Sequence, residues 1–350
     1  MEKKKKLKIA VLMGGHSAER DISIMSGKGV IDGLIQAGHD VIGVDPAFGK
    51  IAVNSPEKQA ITETPPSTTD LSKLDTATTI QTVSSSDLKN VDVVFIALHG
   101  GMGENGTIQA LLDMLNIPYT GSGVLASAIG LDKIASKRIV QAAGVPTPDY
   151  LIISSDNLPD EKSLIDEINK TIGFPLVVKP NDQGSSVGLN ISKSADDIYE
   201  YINTAANYSA KVLLEQFIEG RELTVAILGD KPLPVAEVIP EGGFYDYHHK
   251  YTPGLADKKV PAPLTDEEAK TVQNLALTAF QALGCRGFAR IDFRLSPDGN
   301  WYFLEANTLP GMTATSLVPK AAKADGIGFP ELLDKIVHLA YDYHMKANKK

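Results

Sequence analysis

Apolar positions along the chain follow two rhythms. Short apolar runs at KIAVLM (8–13), DVIGVD (40–45) and VDVVFIAL (91–98) read as buried strands. Between them a helical period runs from Ile22 to Gly38, where the glycine closes it, and another from about Thr107 to Asn116. Strands alternating with helices predict a parallel sheet of βαβ units over residues 1–121, with ligands at the carboxyl ends of its strands. The loops GGHSAERD (14–21) and HGGMGENG (99–106) fall at those ends. Residues 46–90 are rich in Ser, Thr and Pro without a sustained apolar period, which predicts a mostly irregular surface insertion.

The pattern changes after residue 121. Residues 122–215 hold a helix through Lys133, the strand FPLVVKP (174–180), the loop NDQGSSVG (181–188) and the strand KVLLEQF (211–217), a mixture that fits a small α+β domain. Residues 216–350 hold strands RELTVAILG (221–229) and PLPVAEVI (232–239), then a loop near 241–264. A helix at about 265–283 follows, then strands GFARIDFRL (287–295) and NWYFLEAN (300–307), and a helix near 329–346. The fold class is therefore α/β in the first block and α+β beyond it.

The last two strands carry the sharpest chemical signal. They flank Pro-Asp-Gly-Asn, and a two-residue turn at Asp298-Gly299 sets Leu295 opposite Tyr302, Asp292 opposite Glu305 and Arg290 opposite Asn307. Alternation then puts Arg290, Asp292, Glu305 and Asn307 on one face. Two opposed carboxylates in apolar strands are costly unless a cation neutralises them, and an Asp, Glu and Asn oxygen set suits magnesium beside phosphate. The other reading, a solvated face or acids paired with Arg290 and Arg294, stays open at this point.

Other candidates are weaker taken singly. Gly184 and Gly188 permit a bend in which N–H groups and the hydroxyls of Ser185 and Ser186 wrap a phosphate, with Lys179 adding charge, yet a Ser/Gly turn is commonplace. Lys133 on a helix, and Glu215 and Glu222 on strands, are also what solvated residues look like. Glu19 precedes a helix for which Asp21 is a plausible N-cap, and His99 opens a Gly-rich loop that could be a plain turn.

Composition limits the function classes. With 350 residues, 43% of them apolar, the chain can bury more than one core, so two or three domains are expected. A net charge of -9, from 34 basic and 43 acidic residues, and a pI near 5.3 argue against a nucleic-acid or anionic-membrane surface. Cys285 is the single cysteine, so neither a disulfide within the chain nor a thiolate zinc site is available. No apolar run has the length of a signal-peptide core or a membrane span, and a cytoplasmic location is expected.

In order along nearly the whole chain, the motifs GGHSAER, HGGMGENG, LDKIASK, VVKP with GSSVG, EQFIEGRELTV, FYDYHHKY, GFARIDF, LEANTLPGMT and SLVP resemble those of D-alanine:D-alanine ligases of the ATP-grasp superfamily. The resemblance implies three domains: an N-terminal Rossmann-like domain (1–121), a central ATP-grasp subdomain (122–215) and a C-terminal one (216–350). It also implies a homodimer. Residue matching implies ATP phosphates at Lys133, Lys179 and Ser186, adenine at Glu215 with Gln216, Phe217 and Ile218, and ribose at Glu222. It implies two magnesium ions, with manganese as a possible substitute, on Asp292, Glu305 and Asn307. Glu19 resembles the residue that takes the first D-alanine's ammonium group, in a triad with Ser185 and Tyr251. Lys250, Ser316 and Leu317 would meet the second D-alanine, His99 would face the amino acids, and Arg290 with the Gly311 N–H would form an oxyanion site.

The implied activity is ATP-dependent joining of two D-alanine molecules through an acyl phosphate, for peptidoglycan precursor synthesis. Two departures from the family pattern lie in loops: His248-His249, where an acid and a small or polar residue are more frequent, and Gln183, where an acid is frequent. The competing readings are a ligase that takes D-lactate or D-serine second, and a nucleotide-binding module without catalysis. Tyr251 argues against the lactate form, in which the resembling position usually lacks the hydroxyl. Retention of Arg290, Asp292, Glu305 and Asn307 argues against the second.

Overall fold

Three sheets organise the computed structural model, which describes residues 5–17, 19–51, 76–240 and 256–347. The first is built from β1 (Lys8–Leu12), α1 (Arg20–Gln36), β2 (Asp40–Asp45), β3 (Gly49–Ile51), α2 (Thr76–Val83), α3 (Ser86–Lys89), β4 (Val93–Ile96) and α4 (Thr107–Met114). The strand order is β3-β2-β1-β4, with β1 parallel to both β2 and β4 and β3 added antiparallel. All four residues of β4 are buried, as expected for a strand covered on both faces.

Two expectations for this part need correction. Residues 46–90 are not mostly irregular where described: β3, α2 and α3 lie within them, and 52–75 fall outside the described residues. Helix α2 carries no apolar period because the buried face of TATTIQTV is only Thr79 and Val83, one turn apart. Asp21 is not the N-cap of α1; Glu19 holds that position, and Asp21 sits in the first turn, where the helix dipole favours an acid.

The second sheet follows α5 (Val124–Leu131) and α6 (Lys133–Ala142). It comprises β5 (Tyr150–Ser154), α7 (Glu161–Thr171), β6 (Leu176–Pro180), β7 (Asn190–Ser192), α8 (Ile198–Ala206) and β8 (Lys211–Gln216), all antiparallel in the order β5-β8-β6-β7. Lys133 does not sit mid-helix. Asp132 is extended (φ −77°, ψ 101°) and its carboxylate accepts from the Ala135 N–H at 2.8 Å, so one helix ends at Leu131 and another opens at Lys133.

The third sheet is formed by β9 (Arg221–Leu228), β10 (Lys231–Pro232), β11 (Ala236–Pro240), β12 (Ala256–Lys259), β13 (Phe288–Leu295) and β14 (Trp301–Asn307), with α9 (Asp266–Ala282), α10 (Leu317–Ala324) and α11 (Phe329–Ala347). Its order is β12-β11-β9-β13-β14, with β10 on β9. PLPVAEVI is split into β10 and β11 around Pro234, which has no N–H to give the ladder. Strand β12 occupies part of the expected 241–264 loop, of which 241–255 lie outside the described residues. Val140 and Val145 share a core with Leu223, Ile291, Phe293 and Phe303, so α6 leans on this third sheet.

The hairpin of β13 and β14 pairs Asp292 with Glu305 and Arg290 with Asn307, as the alternation predicts, but Leu295 pairs with Trp301 rather than Tyr302. The turn is longer than expected. Gly299 N–H donates to Ser296 O at 3.0 Å, with Pro297 at the position that favours its fixed φ, and Gly299 then takes φ +86°. Residues 297–299 thus form a three-residue loop, and a register shift between Asp292 and Phe293 leaves Leu304 as one extra residue in β14. The two deviations cancel where the carboxylates face each other.

Helix α11 closes the molecule against the first sheet. Leu332, Leu333, Ile336 and Val337 pack with Leu7, Ile9, Val11, Val93 and Phe95 in one core. Gly33 lets α1 approach, since a Cβ there would lie 2.5 Å from Leu333 Cδ1. His39 adds a polar tie: its Nδ1 accepts from the Leu7 N–H at 3.2 Å and its Nε2 lies 3.2 Å from Asp334 Oδ1. Among the described residues no helix is long and apolar enough to cross a membrane.

Phe293 is fully buried, edge-on to Trp301 and Phe303 with ring centres 6.4 and 6.1 Å away. Phe293→Ala should lower unfolding free energy by about 3–5 kcal/mol, read from urea midpoints at constant slope. A loss below about 1 kcal/mol would mean that this core closes over the gap.

Candidate active site

Two open clefts meet at a shared wall of Lys133, Arg290, Glu305 and Leu317. The first lies between the second and third sheets. Lys179, Ser186, Glu215, Gln216, Phe217, Ile218, Glu222 and Asp292 all line it, together with apolar Val177, Ile191 and Leu304. The second faces the first sheet and is lined by Glu19, His99, Ser185, Asn307, Gly311 and Ser316. Lys250 and Tyr251, like His248 and His249, lie outside the described residues.

The first sheet delivers Glu19 and His99 because β1 and β4 are parallel neighbours whose exits adjoin. Ser23 Oγ donates to Ala97 O at 2.7 Å, Ser17 Oγ donates to His99 O, and Ser26 Oγ lies 3.2 Å from His99 Nε2. Gly100 completes the junction: it takes φ +66°, and a Cβ there would come within 2.8 Å of Glu19 Oε2. Across the cleft Ser185 Oγ donates to Glu19 Oε1, joining the 181–188 loop to the first sheet. In that loop Ser185 and Ser186 themselves adopt φ +52° and +59°, whereas of its two glycines only Gly188 does so (φ +67°). Such backbone strain gathers at ligand sites.

Lys133 opens α6 at its positive end and reaches both the Gln183 carbonyl, at 2.7 Å, and Glu305 Oε2, at 3.2 Å. Asn181 accepts from the Lys133 and Ile134 N–H groups, fastening the loop after β6 to this helix. Arg290 grips Asp292 with two hydrogen bonds of 2.8 Å, and Thr224 Oγ1 donates to the same carboxylate at 2.5 Å. Arg294 Nε donates to Ile218 O at 3.1 Å while its Nη1 lies 3.3 Å from Glu222, so one guanidinium sets the 216–218 segment and the acid beyond it. Of the arginine pairing left open by the sequence, only the Arg290 half is present: Arg290 takes Asp292, whereas Arg294 takes Glu222 and Glu305 pairs with Lys133.

The oxygen donors of Asp292, Glu305 and Asn307 fit a hard divalent cation. They stand on two adjacent strands, Asp292 directly opposite Glu305 and Asn307 opposite Arg290, and Asn307 Oδ1, which accepts from the Leu309 N–H at 3.0 Å, keeps a second lone pair. Arg290 and Lys133 now supply the positive charge that such an ion would bring. Cys285 takes no part as a nucleophile, since burial pushes its thiol up to about 11 and keeps it protonated at neutral pH.

Three residues at or beside the clefts were not singled out from sequence. Glu104 and Lys258 line the second cleft; Glu104 Oε1 lies 3.7 Å from His99 Nδ1, and burial first, then the charges of Lys320 and Arg290, pulls the Lys258 ammonium down. Lys137 is fully buried behind the first cleft, 3.2 Å from Glu215 Oε2, while Lys179 Nζ lies 2.7 Å from the same oxygen. Both ammonium groups stand at ion-pair distance from that oxygen. Burial pulls Lys137 down to about 8 against the opposing pull of Glu215. Burial also works to raise Glu215, but the two lysines outweigh it and the carboxylate is held below its ordinary value. For Lys137 the hints in the sequence were its place at the end of the LDKIASK motif and its i, i+4 spacing from Lys133.

Two family models together match most of the chain. The D-ala D-ala ligase N-terminus model matches residues 8–122 and the D-ala D-ala ligase C-terminus model matches residues 139–338. A D-alanine–D-alanine ligase of Desulforamulus reducens is 42% identical over 96% of this chain and 99% of its own length. The crystal structure of a Bacillus anthracis D-alanine–D-alanine ligase complexed with ATP superposes with a TM-score of 0.75 at 31% identity, covering 98% of this chain and 100% of that one. The VanG D-Ala:D-Ser ligase of Enterococcus faecalis gives a TM-score of 0.77 at 30% identity, over 96% and 100%. Matched by both family models and by relatives over almost its whole length, with a two-cleft ATP-grasp architecture to correspond, the chain belongs to the D-alanine–D-alanine ligase family.

Proposed function

We propose that this chain joins two D-alanine molecules into D-alanyl-D-alanine at the expense of ATP, in the cytoplasm, as a step of peptidoglycan precursor synthesis. The observation that carries the reading is the common wall: the cleft between the second and third sheets and the cleft facing the first sheet share Lys133, Arg290 and Glu305. In this reading the three domains are 1–121, 122–215 and 216–350, and ATP lies between the second and third.

Within the first cleft, Gln216 to Ile218 and Glu215 hold the adenine, Glu222 the ribose, and Lys133, Lys179 and Ser186 the phosphates. Asp292, Glu305 and Asn307 would hold two magnesium ions, or manganese in their place, which when bound offset phosphate charge during transfer. Arg290 and Lys133, paired with those acids in the arrangement described, are then released toward substrate.

In the second cleft Glu19, braced by Ser185 and Tyr251, receives the ammonium of the first D-alanine. Its carboxylate oxygen attacks the γ-phosphorus of ATP, ADP departs, and an acyl phosphate results. Lys250, Ser316 and Leu317 hold the carboxylate end of the second D-alanine near His99. Once deprotonated, its amine attacks the acyl carbonyl, Arg290 and the Gly311 N–H stabilise the oxyanion, and phosphate leaves as the peptide bond forms. A homodimer is part of this reading.

A coupled ADP-release assay with a panel of second substrates tests it, with the product mass measured. D-alanine alone should release ADP with formation of the dipeptide, and D-lactate or D-serine added to D-alanine should not outcompete it. Faster release with D-alanine plus D-lactate at neutral pH, with the matching depsipeptide mass, would replace this reading by the D-lactate form, and the corresponding serine product by the D-serine form.

A further inference from the structure

Glu215 has two lysines, and the two are not equivalent. Lys179 is 10% exposed and lines the nucleotide cleft, whereas the Lys137 side chain has 0% exposure and does not reach it. Behind the cleft Lys137 Nζ donates to Thr147 Oγ1 at 2.5 Å, Thr147 Oγ1 donates to Phe303 O of β14 at 2.9 Å, and the Tyr150 ring centre lies 5.8 Å from the ammonium. Lys137 therefore stands where β8 of the second sheet meets β14 of the third. It is fixed there by neutral partners as well as by charge.

A buried carboxylate deprived of its counterion is strongly unfavourable. If Lys179 were the sole partner of Glu215, its ammonium could turn to a phosphate only by stranding that charge. We infer that Lys137 is a positioning residue for ATP, keeping Glu215 neutralised so that Lys179 is free to leave it for the nucleotide. This rests on the proposed placement of ATP phosphates at Lys179. Lys137 touches neither substrate nor reacting atoms; it acts through Glu215, and β14 on its far side ties the same strut to the strand bearing Glu305 and Asn307.

The test is a cycle of Lys137→Met in the parent and in Glu215→Gln, read as the KM for ATP and kcat separately, with Lys179→Ala as reference. Lys137→Met should raise the KM for ATP roughly tenfold with kcat changed by less than about threefold. In the Glu215→Gln background, where no charge needs a partner, the same substitution should change KM by less than about twofold. Thr147→Val, milder and nearly isosteric, should move KM in the same direction to a smaller extent, and serves if Lys137→Met does not fold. An unchanged KM in Lys137→Met, or an equal effect in both backgrounds, overturns the inference; for Thr147→Val so does an unchanged KM. If Lys179→Ala leaves the KM for ATP untouched, the placement of the phosphates fails first and the inference falls with it.

Discussion

Arg290→Ala should lower kcat by about 10²–10³-fold while the KM for ATP changes by less than about threefold, because the guanidinium is needed where negative charge develops rather than where the nucleotide rests. Arg290 lines both clefts, and its side chain is only 16% exposed, so charge stabilisation there is little screened. It also pairs with Asp292, which retains the Thr224 hydroxyl when the guanidinium is removed. Metal affinity should consequently hold or rise in the variant. Arg290→Lys should recover only part of the loss, since one ammonium cannot reproduce two parallel hydrogen bonds. Steady-state ADP release at saturating D-alanine distinguishes the outcomes; a defect carried by the ATP KM would move Arg290 into the nucleotide site.

Glu305→Gln should reduce turnover by about 10²-fold at limiting magnesium, with part of the loss recovered as magnesium is raised. The amide keeps an oxygen donor of similar reach but loses the charge that opposes Asp292 across the hairpin. Stability should change little. The Glu305 side chain is 29% exposed and its ion pair with Lys133 is partly screened, so the folded state should shift by about 1 kcal/mol at most. Near-normal turnover at limiting magnesium would remove Glu305 from the set of metal-holding residues.

The hairpin shows how far local pattern carries. Opposition of Asp292 and Glu305 was legible because side chains alternate with a period of two and a turn lay between the strands. The turn itself was misjudged by one residue, and only the extra residue at Leu304 restored the expected pairs. A bulge leaves no mark in the apolar pattern, since Leu304 is as suitable in a ladder as out of it. The break at Asp132 was missed for a related reason: apolar residues continue on both sides, and the cap is visible only as one carboxylate three residues before Ala135.

Lys137 and Lys179 illustrate the opposite limit. A lysine on a helix reads as solvated unless its surroundings are known, and the partners of Lys137 come from Thr147, Glu215 and Phe303, distant in sequence and brought together only by two sheets meeting. The link between Glu19 and Ser185, 166 residues apart, has the same origin. Motif resemblance could place Glu19 and Ser185 together; periodicity could not.

The seat of α11 on the first sheet bears on how the chain is made. Strands β1, β2 and β4 leave the ribosome early, yet the apolar face of that sheet is covered by Leu332, Leu333, Ile336 and Val337, which more than half of the chain separates from β4. Until synthesis reaches them, a patch that includes Leu7, Ile9 and Phe95 is covered only in part, by Val30, Ile31 and Leu34 of α1. Nascent chains halted before residue 329 should therefore be chaperone clients, and the amino-terminal domain should acquire protease resistance late in translation despite its early birth.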